Sequence, residues 1–156
     1  MTPIPSKRLL IVYHSHTGHT AALAEAVQHG ALRQHNVHTL CKQAFNADTN
    51  DLLACDGLLL GTPENFGTMS GALKDFFERT YYPCEGLRQG LPYAVFISAG
   101  NDGTGAAREI SRIARGYGFR QVAEPLIVRR VPAPADIEQA ETLGESMAEA
   151  LALGIF

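Results

Sequence analysis

Hydroxyl and imidazole side chains cluster around one glycine near the start of the chain: Ser15, His16, Thr17, Gly18, His19 and Thr20. A polar turn placed just before a helix directs hydroxyls and free backbone N–H groups toward one point. Such donors suit an anion with many acceptor oxygens, most simply a phosphate group. We therefore predict that this segment, the phosphate loop, binds phosphate. The alternative is that Ser15 or Thr17 only caps the helix, although a cap needs one hydroxyl and three are present.

The phosphate loop lies between two segments with clear structural preferences. Before it, Leu9–Tyr13 is a continuous apolar run, which is typical of a strand buried on both faces of a parallel sheet. After it, Thr20–Arg33 is rich in helix-forming residues, with Leu23 and Val27 on one face. The sequence therefore predicts a strand, a tight polar turn and a helix, with the loop at the start of the helix.

The rest of the chain repeats this alternation. Five segments are predicted to be strands: Leu9–Tyr13, Val37–Cys41, Leu58–Leu60, Tyr93–Ser98 and Leu126–Val128. Helices are predicted between and after them, starting near Thr20, Asp48, Ser70, Gly105 and Asp136. Strands and helices that alternate in this way indicate a single α/β domain over residues 1–156, built on a doubly wound parallel sheet.

Three boundaries are predicted from local composition. The stretch Tyr81–Gly86 is expected to be a loop that follows the third helix. Gly116 and Gly118 are expected to end the fourth helix. Asp136, with Gln139 three residues later, is expected to start the last helix in the manner of a capping box.

Two further loops follow apolar strands and can meet the phosphate loop, because ligands of such sheets bind at the carboxyl ends of the strands. They are Thr62–Met69 and Ala99–Gly105, and both are rich in glycine and small polar residues. Glycine lets a backbone approach a flat ligand closely. Phe66 is the one aromatic residue in these loops, and it either stacks on the ligand or packs in the core. A flat ring with a single phosphate indicates flavin mononucleotide, FMN.

Composition limits the class of protein. The chain has 156 residues, 46% hydrophobic and 19% charged, with a net charge of −3, so nucleic acid is not an expected partner. No apolar run approaches the roughly 20 residues of a membrane span. The N-terminal residues 1–8 lack the apolar core of a secretory signal. Three scattered cysteines, Cys41, Cys55 and Cys84, favour a cytoplasmic protein with reduced thiols.

Other phosphate and metal chemistries lack their sequence patterns. No Gly-Lys-Ser/Thr occurs, which excludes a Walker A loop, and Gly18 alone cannot supply a dinucleotide fingerprint that needs three glycines. His14, His16 and His19 lie on a tight turn whose spacing does not place them on one face, so we expect no metal site.

Two of these loops resemble known flavin-binding motifs. Ser15-His16-Thr17-Gly18-His19-Thr20 resembles the phosphate loop of flavodoxins, Ser/Thr-x-Thr-Gly-x-Thr. The segment 61–71, Gly-Thr-Pro-Glu-Asn-Phe-Gly-Thr-Met-Ser-Gly, is similar to the second flavin loop of NAD(P)H:quinone reductases of the tryptophan-repressor-binding-protein type. The resemblance implies a flavodoxin-like three-layer α/β/α sandwich with a five-stranded parallel sheet of order 2-1-3-4-5.

The resemblance also implies which residues bind the cofactor. The FMN phosphate would be held by Ser15, Thr17, Gly18, His19 and Thr20. The flavin ring would be held by Thr62, Pro63, Asn65, Phe66 and Gly67. The other edge of the ring would be lined by Ser98, Ala99, Gly100, Asn101, Asp102 and Gly103. His16 and Glu64 complete the predicted cofactor-binding set, and no residue is predicted to be catalytic.

Two functions are compatible with a bound FMN. In the first, the protein is an enzyme in which NAD(P)H reduces the flavin and a quinone or another acceptor takes the electrons. In the second, it is a flavodoxin-type carrier that exchanges electrons with protein partners. The lack of a second aromatic on the ring favours the enzyme, and the lack of a segment that covers the flavin favours the carrier. The sequence leaves the oligomeric state open, and a homodimer is one option.

Overall fold

The computed structural model describes residues 7–156, which fold into strands and helices in alternation. The strands are β1 (Lys7–Tyr13), β2 (Val37–Gln43), β3 (Gly57–Asn65), β4 (Thr68–Met69), β5 (Pro92–Ser98), β6 (Arg120–Gln121) and β7 (Leu126–Val128). The helices are α1 (His19–Leu32), α2 (Thr49–Ala54), α3 (Gly71–Cys84), α4 (Thr104–Tyr117) and α5 (Pro134–Ala152). The N-terminal segment predicted not to be a secretory signal lies mostly outside the described residues.

The strands form a parallel sheet in the order β2-β1-β3-β5, and both β6 and β7 pair with β5. The predicted fourth and fifth strands are β5 and β7, so the predicted order 2-1-3-4-5 is confirmed. The strand β4 turns back on the end of β3 and pairs with it antiparallel, which makes a short hairpin at the carboxyl edge of the sheet. This hairpin falls within the predicted second loop.

Both faces of the sheet are covered by helices, which explains the continuous apolar runs of β1, β3 and β5. Successive strand residues point to opposite faces. Leu9 and Ile11 therefore pack beneath α1 and α5, whereas Leu10 and Val12 pack against the side that carries α2, α3 and α4. The three-layer α/β/α sandwich is confirmed. No helix within residues 7–156 combines the length and apolar character that crossing a membrane requires.

Three predicted boundaries are wrong. The helix α3 continues through Tyr81 to Cys84 instead of ending in a loop, because Tyr81 packs edge-on against the Tyr117 ring, with 5.1 Å between ring centroids. Gly116 lies inside α4, and only Gly118, with φ of 82°, ends it.

The last helix begins at Pro134 rather than at Asp136. Proline at a first helical position has φ already set for the helix and loses no hydrogen bond there. The carboxylate of Asp136 instead accepts a hydrogen bond from the Ala133 N–H at 2.8 Å, which satisfies a free donor at the helix start.

The helices α1 and α5 touch backbone to backbone. A methyl group added at Gly30 would overlap the carbonyl oxygen of Glu141, and one added at Gly144 would overlap the carbonyl oxygen of Val27. Beside this contact, the Arg33 guanidinium donates to the carboxylates of Glu141 at 2.8 Å and Glu145 at 3.0 Å. The two glycines therefore set how closely α5 packs on the helix that follows the phosphate loop.

We expect Gly144→Ala to lower the free energy of unfolding by about 1–3 kcal/mol, since the methyl group has no room and the helices must separate. Gly116→Ala in α4 is the matched control, because its methyl group would lie 3.9 Å from the nearest Tyr81 atom. There the gain in helix propensity should raise stability by up to about 1 kcal/mol. Urea unfolding of both variants measures this, and shifts of the same sign would contradict it.

Candidate functional site

Three loops meet at the carboxyl edge of the sheet, as predicted. The hydroxyl of Thr20, the last residue of the phosphate loop, lies 2.7 Å from the hydroxyl of Ser98 at the end of β5. The carboxylate of Glu64 in the hairpin accepts hydrogen bonds from the N–H groups of Gly103 at 3.2 Å and Ala106 at 3.1 Å. These contacts connect the first loop to the third and the second loop to the third.

The phosphate loop is arranged around the start of α1. Gly18 has φ of 101°, in the left-handed region that favours glycine, and occupies the position before the helix. The Ser15 hydroxyl oxygen accepts hydrogen bonds from the N–H groups of Gly18 at 3.2 Å and Ala21 at 3.1 Å. Within residues 7–156, no hydrogen bond occupies the N–H groups of Thr17 and His19. These groups remain available to a ligand.

Three of the other helices have a carboxylate at their N-termini, which α1 lacks. Backbone N–H groups donate to the carboxylate of Asp48 at the start of α2, to that of Glu64 at the start of α4 and to that of Asp136 at the start of α5. The buried Ser70 hydroxyl caps α3 by accepting from the Leu73 N–H at 3.2 Å. The residue before α1 offers no side-chain cap, and the first turn contains no acid. No carboxylate therefore competes with a phosphate at the positive end of α1.

The predicted phosphate-binding side chains differ in exposure. Thr17 and His16 are exposed, whereas Ser15 and His19 are half-buried. Thr20 is buried, and its hydroxyl is paired with Ser98 inside the protein. The structure thus gives the Thr20 side chain a role in joining two loops, and its contact with phosphate stays a prediction.

The hairpin tip presents Phe66 to solvent. Phe66 has φ of 52° and Gly67 has φ of 75°, the positive pair of a type I′ two-residue turn between Asn65 and Thr68. Among residues 7–156, Phe66 is the sole non-glycine residue with positive φ, and its side chain is fully exposed. The alternative that Phe66 packs in the core is therefore wrong. An exposed aromatic in a strained backbone conformation is typical of a functional position.

The base of the hairpin is fixed by side chains that were predicted to contact the flavin ring. Thr62 is buried, and its hydroxyl oxygen accepts a hydrogen bond from the Ser70 N–H at 2.9 Å. Pro63 and Glu64 are half-buried, and Asn65 and Gly67 are exposed beside the tip. The hairpin therefore has a rigid base and an exposed tip.

The role of Glu64 in positioning α4 was missed from the sequence. The first turn of α4 contains no acid, so its free N–H groups need an acceptor from elsewhere. That need is a signal in the sequence, but the partner lies 39 residues away in the chain, between Glu64 and Gly103. The carboxylate of Glu64 thereby holds the second and third loops at a fixed separation.

The third loop consists of small and polar residues and lacks aromatic side chains. Ser98, Ala99 and Gly103 are buried, and Gly100, Asn101 and Asp102 are exposed. Hydrogen bonds from the backbone N–H and the hydroxyl of Thr104 hold the pKa of Asp102 below its ordinary value. A flat ligand lying between the hairpin and this loop would have an aromatic neighbour on the hairpin side only.

The site offers hydrogen-bond donors and an exposed aromatic ring. In the part of the chain that the structure describes, no three His, Cys, Asp or Glu side chains gather so as to hold a metal ion. The cysteines are free thiols, and burial raises the pKa of Cys41 to about 11 and of Cys55 to about 12. The arrangement can bind a phosphate at one end and a flat ring at the other.

Comparison with known proteins gives the family. The model of the Flavodoxin family matches residues 11–152. A flavodoxin of Aquifex aeolicus is 31% identical, with 72% of this chain aligned to 62% of that protein. An NAD(P)H dehydrogenase (quinone) of Acidithiobacillus ferrooxidans is 33% identical, with 58% of this chain aligned to 56% of that protein. The chain thus spans about three fifths of the length of these relatives.

A solved structure supports the same fold. The flavodoxin, WrbA-like protein from Agrobacterium tumefaciens superimposes with a TM-score of 0.79 at 23% sequence identity, over 96% of this chain and 99% of that one. The match to the family model extends from β1 into α5 and includes all three loops of the site. This chain belongs to the flavodoxin family.

Proposed function

We propose that this chain binds FMN in the three loops and uses it for NAD(P)H-dependent reduction of a quinone or another electron acceptor. Its family implies FMN as the cofactor. The observation that carries the proposal is the pairing of two features at one edge of the sheet. The start of α1 has no carboxylate to compete with a phosphate, and an exposed Phe66 stands at the neighbouring hairpin.

The phosphate end of FMN fits the phosphate loop. The N–H groups of Thr17 and His19, together with the Thr17 hydroxyl, would donate to the phosphate oxygens. Ser15 would support them from beneath, since its hydroxyl oxygen already orients the N–H groups of Gly18 and Ala21. The dipole of α1 adds a favourable field for a dianion.

The ring end of FMN fits between the hairpin and the third loop. Phe66 would lie against one face of the ring, with Pro63, Asn65 and Gly67 around it. Ala99 to Gly103 would line the other edge without covering the opposite face. When bound, FMN supplies the hydride and electron-transfer chemistry, and the residues of this chain bind and orient it.

The open face supports a pyridine nucleotide as the electron donor. A nicotinamide must stack on the flavin for hydride transfer, which requires one face of the ring to be free of protein aromatics. The relative from Acidithiobacillus ferrooxidans bears the name NAD(P)H dehydrogenase (quinone), which supports the same donor. The second candidate function is a flavodoxin-type electron carrier. It is favoured by the full exposure of the hairpin tip, which would let a protein approach the ring edge.

We expect the purified protein to be yellow, or to become yellow with added FMN, and to release FMN rather than FAD on heating. Chromatography of the released flavin identifies it. Anaerobic addition of NADH or NADPH should bleach the flavin without any other protein, because the open ring face admits a nicotinamide. FAD as the main species would contradict the proposed cofactor. Bleaching only with an added reductase would leave the carrier as the function.

We expect Thr17→Ala to weaken FMN binding by about tenfold to a hundredfold, since a hydrogen bond to a charged group is worth roughly 1.5–3 kcal/mol. Riboflavin has the ring and no phosphate, so its affinity should change little. Fluorescence titration of the apoprotein with both flavins measures the difference. Equal losses for the two flavins would show that Thr17 acts on the fold.

We expect Phe66→Asn and Phe66→Ala to affect ring binding and stability separately. Both remove the aromatic ring and should weaken riboflavin and FMN alike, by roughly 2 kcal/mol from lost stacking and burial. Asparagine tolerates positive φ better than phenylalanine, so Phe66→Asn should also raise apoprotein stability, by up to about 1 kcal/mol. Thermal unfolding and riboflavin titration test this. Unchanged riboflavin affinity in both variants would remove Phe66 from the site.

A further inference from the structure

An apolar groove of about 470 Å³ runs along the surface between α3 and α4. Its walls include Phe77, Tyr81 and Tyr82 from α3 and Ile113 and Tyr117 from α4. We call it the α3–α4 groove.

The groove continues toward the hairpin formed by β3 and β4. A second hollow, of about 420 Å³, shares Lys74 and Ile113 with the α3–α4 groove and reaches Asn65 and Phe66. The two hollows therefore form one path along the surface that ends at the proposed ring site. Anything that fills this path lies beside the edge where Phe66 would hold the flavin.

The groove offers an aromatic anchor at its open side. Tyr82 is 79% exposed, and its ring meets that of Tyr81 edge-on, with 5.2 Å between centroids. Tyr81 in turn packs against Tyr117 in the core. An exposed tyrosine held in place by buried aromatics is typical of the residues that carry the binding energy of protein interfaces.

Arginines border the groove along α4. Arg108, Arg112 and Arg115 are spaced four and three residues apart, which places them on one face of the helix. Each precedes a residue on the groove side of α4, so this arginine stripe lies about 100° around the helix from the groove. The side chains of Arg108 and Arg112 are 72% and 73% exposed.

Two carboxylates line the path itself, Glu78 in the groove and Glu109 in the second hollow, and the surface that includes the stripe is nevertheless basic. Glu109 lies 3.9 Å from Arg108 and 3.6 Å from Arg112, and Glu78 lies 3.8 Å from Lys74. These exposed pairs are long and weak. With Arg115, the surface has four cations and two carboxylates.

Charge is divided unevenly along the chain. Residues 104–133 contain six arginines and two glutamates, although the whole chain has a net charge of −3. The rest of the chain has seven basic and fourteen acidic side chains. The basic charge is thus concentrated in the segment that starts with α4, directly after the third loop of the site.

We propose that the α3–α4 groove and the arginine stripe dock an acidic electron-transfer protein, whose acidic patch surrounds its own redox centre. This inference rests on the proposed flavin function and names the protein that exchanges electrons with the flavin. Opposite charge steers such a partner to this face, and the groove aromatics supply the contact. The path from Tyr82 to Phe66 then places the partner beside the ring site.

A second copy of this chain fits the surface less well. A two-fold dimer formed through this face would bring the arginine stripes of both copies into one interface, and like charges gathered in an interface are unfavourable. An acidic partner turns the same stripe into an attraction. The charge of the stripe therefore decides between the two occupants.

The test is a titration of the isotope-labelled, FMN-loaded chain with an acidic [2Fe–2S] ferredoxin, followed by NMR. We expect shifts at Tyr82, Arg112 and Ile113 and an affinity that falls steeply as salt rises to ~0.15 M. Arg112→Glu combined with Arg115→Glu should weaken binding by about tenfold or more. Tyr82→Ala should weaken it with little change in the salt dependence.

The controls distinguish an effect of this surface from an effect of the total charge of the chain. Lys7→Glu combined with Arg8→Glu makes the same change in net charge as the arginine double variant, at the opposite edge of the sheet, and should leave the affinity nearly unchanged. Leu153→Ala is the control for Tyr82→Ala: it removes an exposed apolar side chain elsewhere and should also leave the affinity nearly unchanged. Basic cytochrome c should not bind. FMN affinity is titrated separately on every variant, so loss of flavin binding and loss of docking are distinguished.

Three outcomes would overturn the proposal. One is ferredoxin binding that the arginine double variant leaves intact, and another is equal binding of cytochrome c. The third is self-association through this face, detected by sedimentation without ferredoxin and removed by the same double variant, which would make the surface a contact between copies.

Discussion

The arrangement of the site depends on the hydrogen bonds that the carboxylate of Glu64 accepts. This carboxylate extends from the hairpin to two backbone N–H groups at the start of α4, Gly103 and Ala106. A two-stranded hairpin at a sheet edge is marginally stable alone, so an attachment of this kind is needed to fix its position. The buried hydrogen bond between Thr62 and Ser70 fixes the hairpin base against α3. Together they allow the tip to hold a strained, exposed Phe66.

The helix N-termini differ in whether a carboxylate of the protein lies beside them. Those of α2, α4 and α5 donate hydrogen bonds to carboxylates of the protein itself, which stabilises the fold. That of α1 has no carboxylate beside it, and it faces the same edge of the sheet as the hairpin. Because the hydroxyls of Thr20 and Ser98 join the first and third loops beneath the surface, the proposed phosphate and ring sites share one support.

Much of the fold follows from the sequence because the strands are buried on both faces. Leu9–Tyr13 and Tyr93–Ile97 are continuous apolar runs, which are typical of covered parallel strands. The phosphate loop is also local, since its donors lie within six residues. The attachment of Glu64 to α4 is not local, and no pattern near Glu64 reveals it. The continuation of α3 through Pro83 depends on Tyr81 meeting Tyr117, a tertiary contact that outweighs the local preference for a loop.

The glycine contact between α1 and α5 has a consequence for how a ligand arrives. Gly30 and Gly144 bring the two backbones together well behind the phosphate loop, and α1 is thereby held closely in its C-terminal half. Its N-terminal N–H groups are in place before any ligand binds, and little ordering cost is incurred at that end. The hairpin tip, with its free aromatic side chain, loses more freedom when it is covered. We therefore expect the phosphate to engage first as a fixed anchor, with the ring settling afterwards into the more pliable half of the cleft.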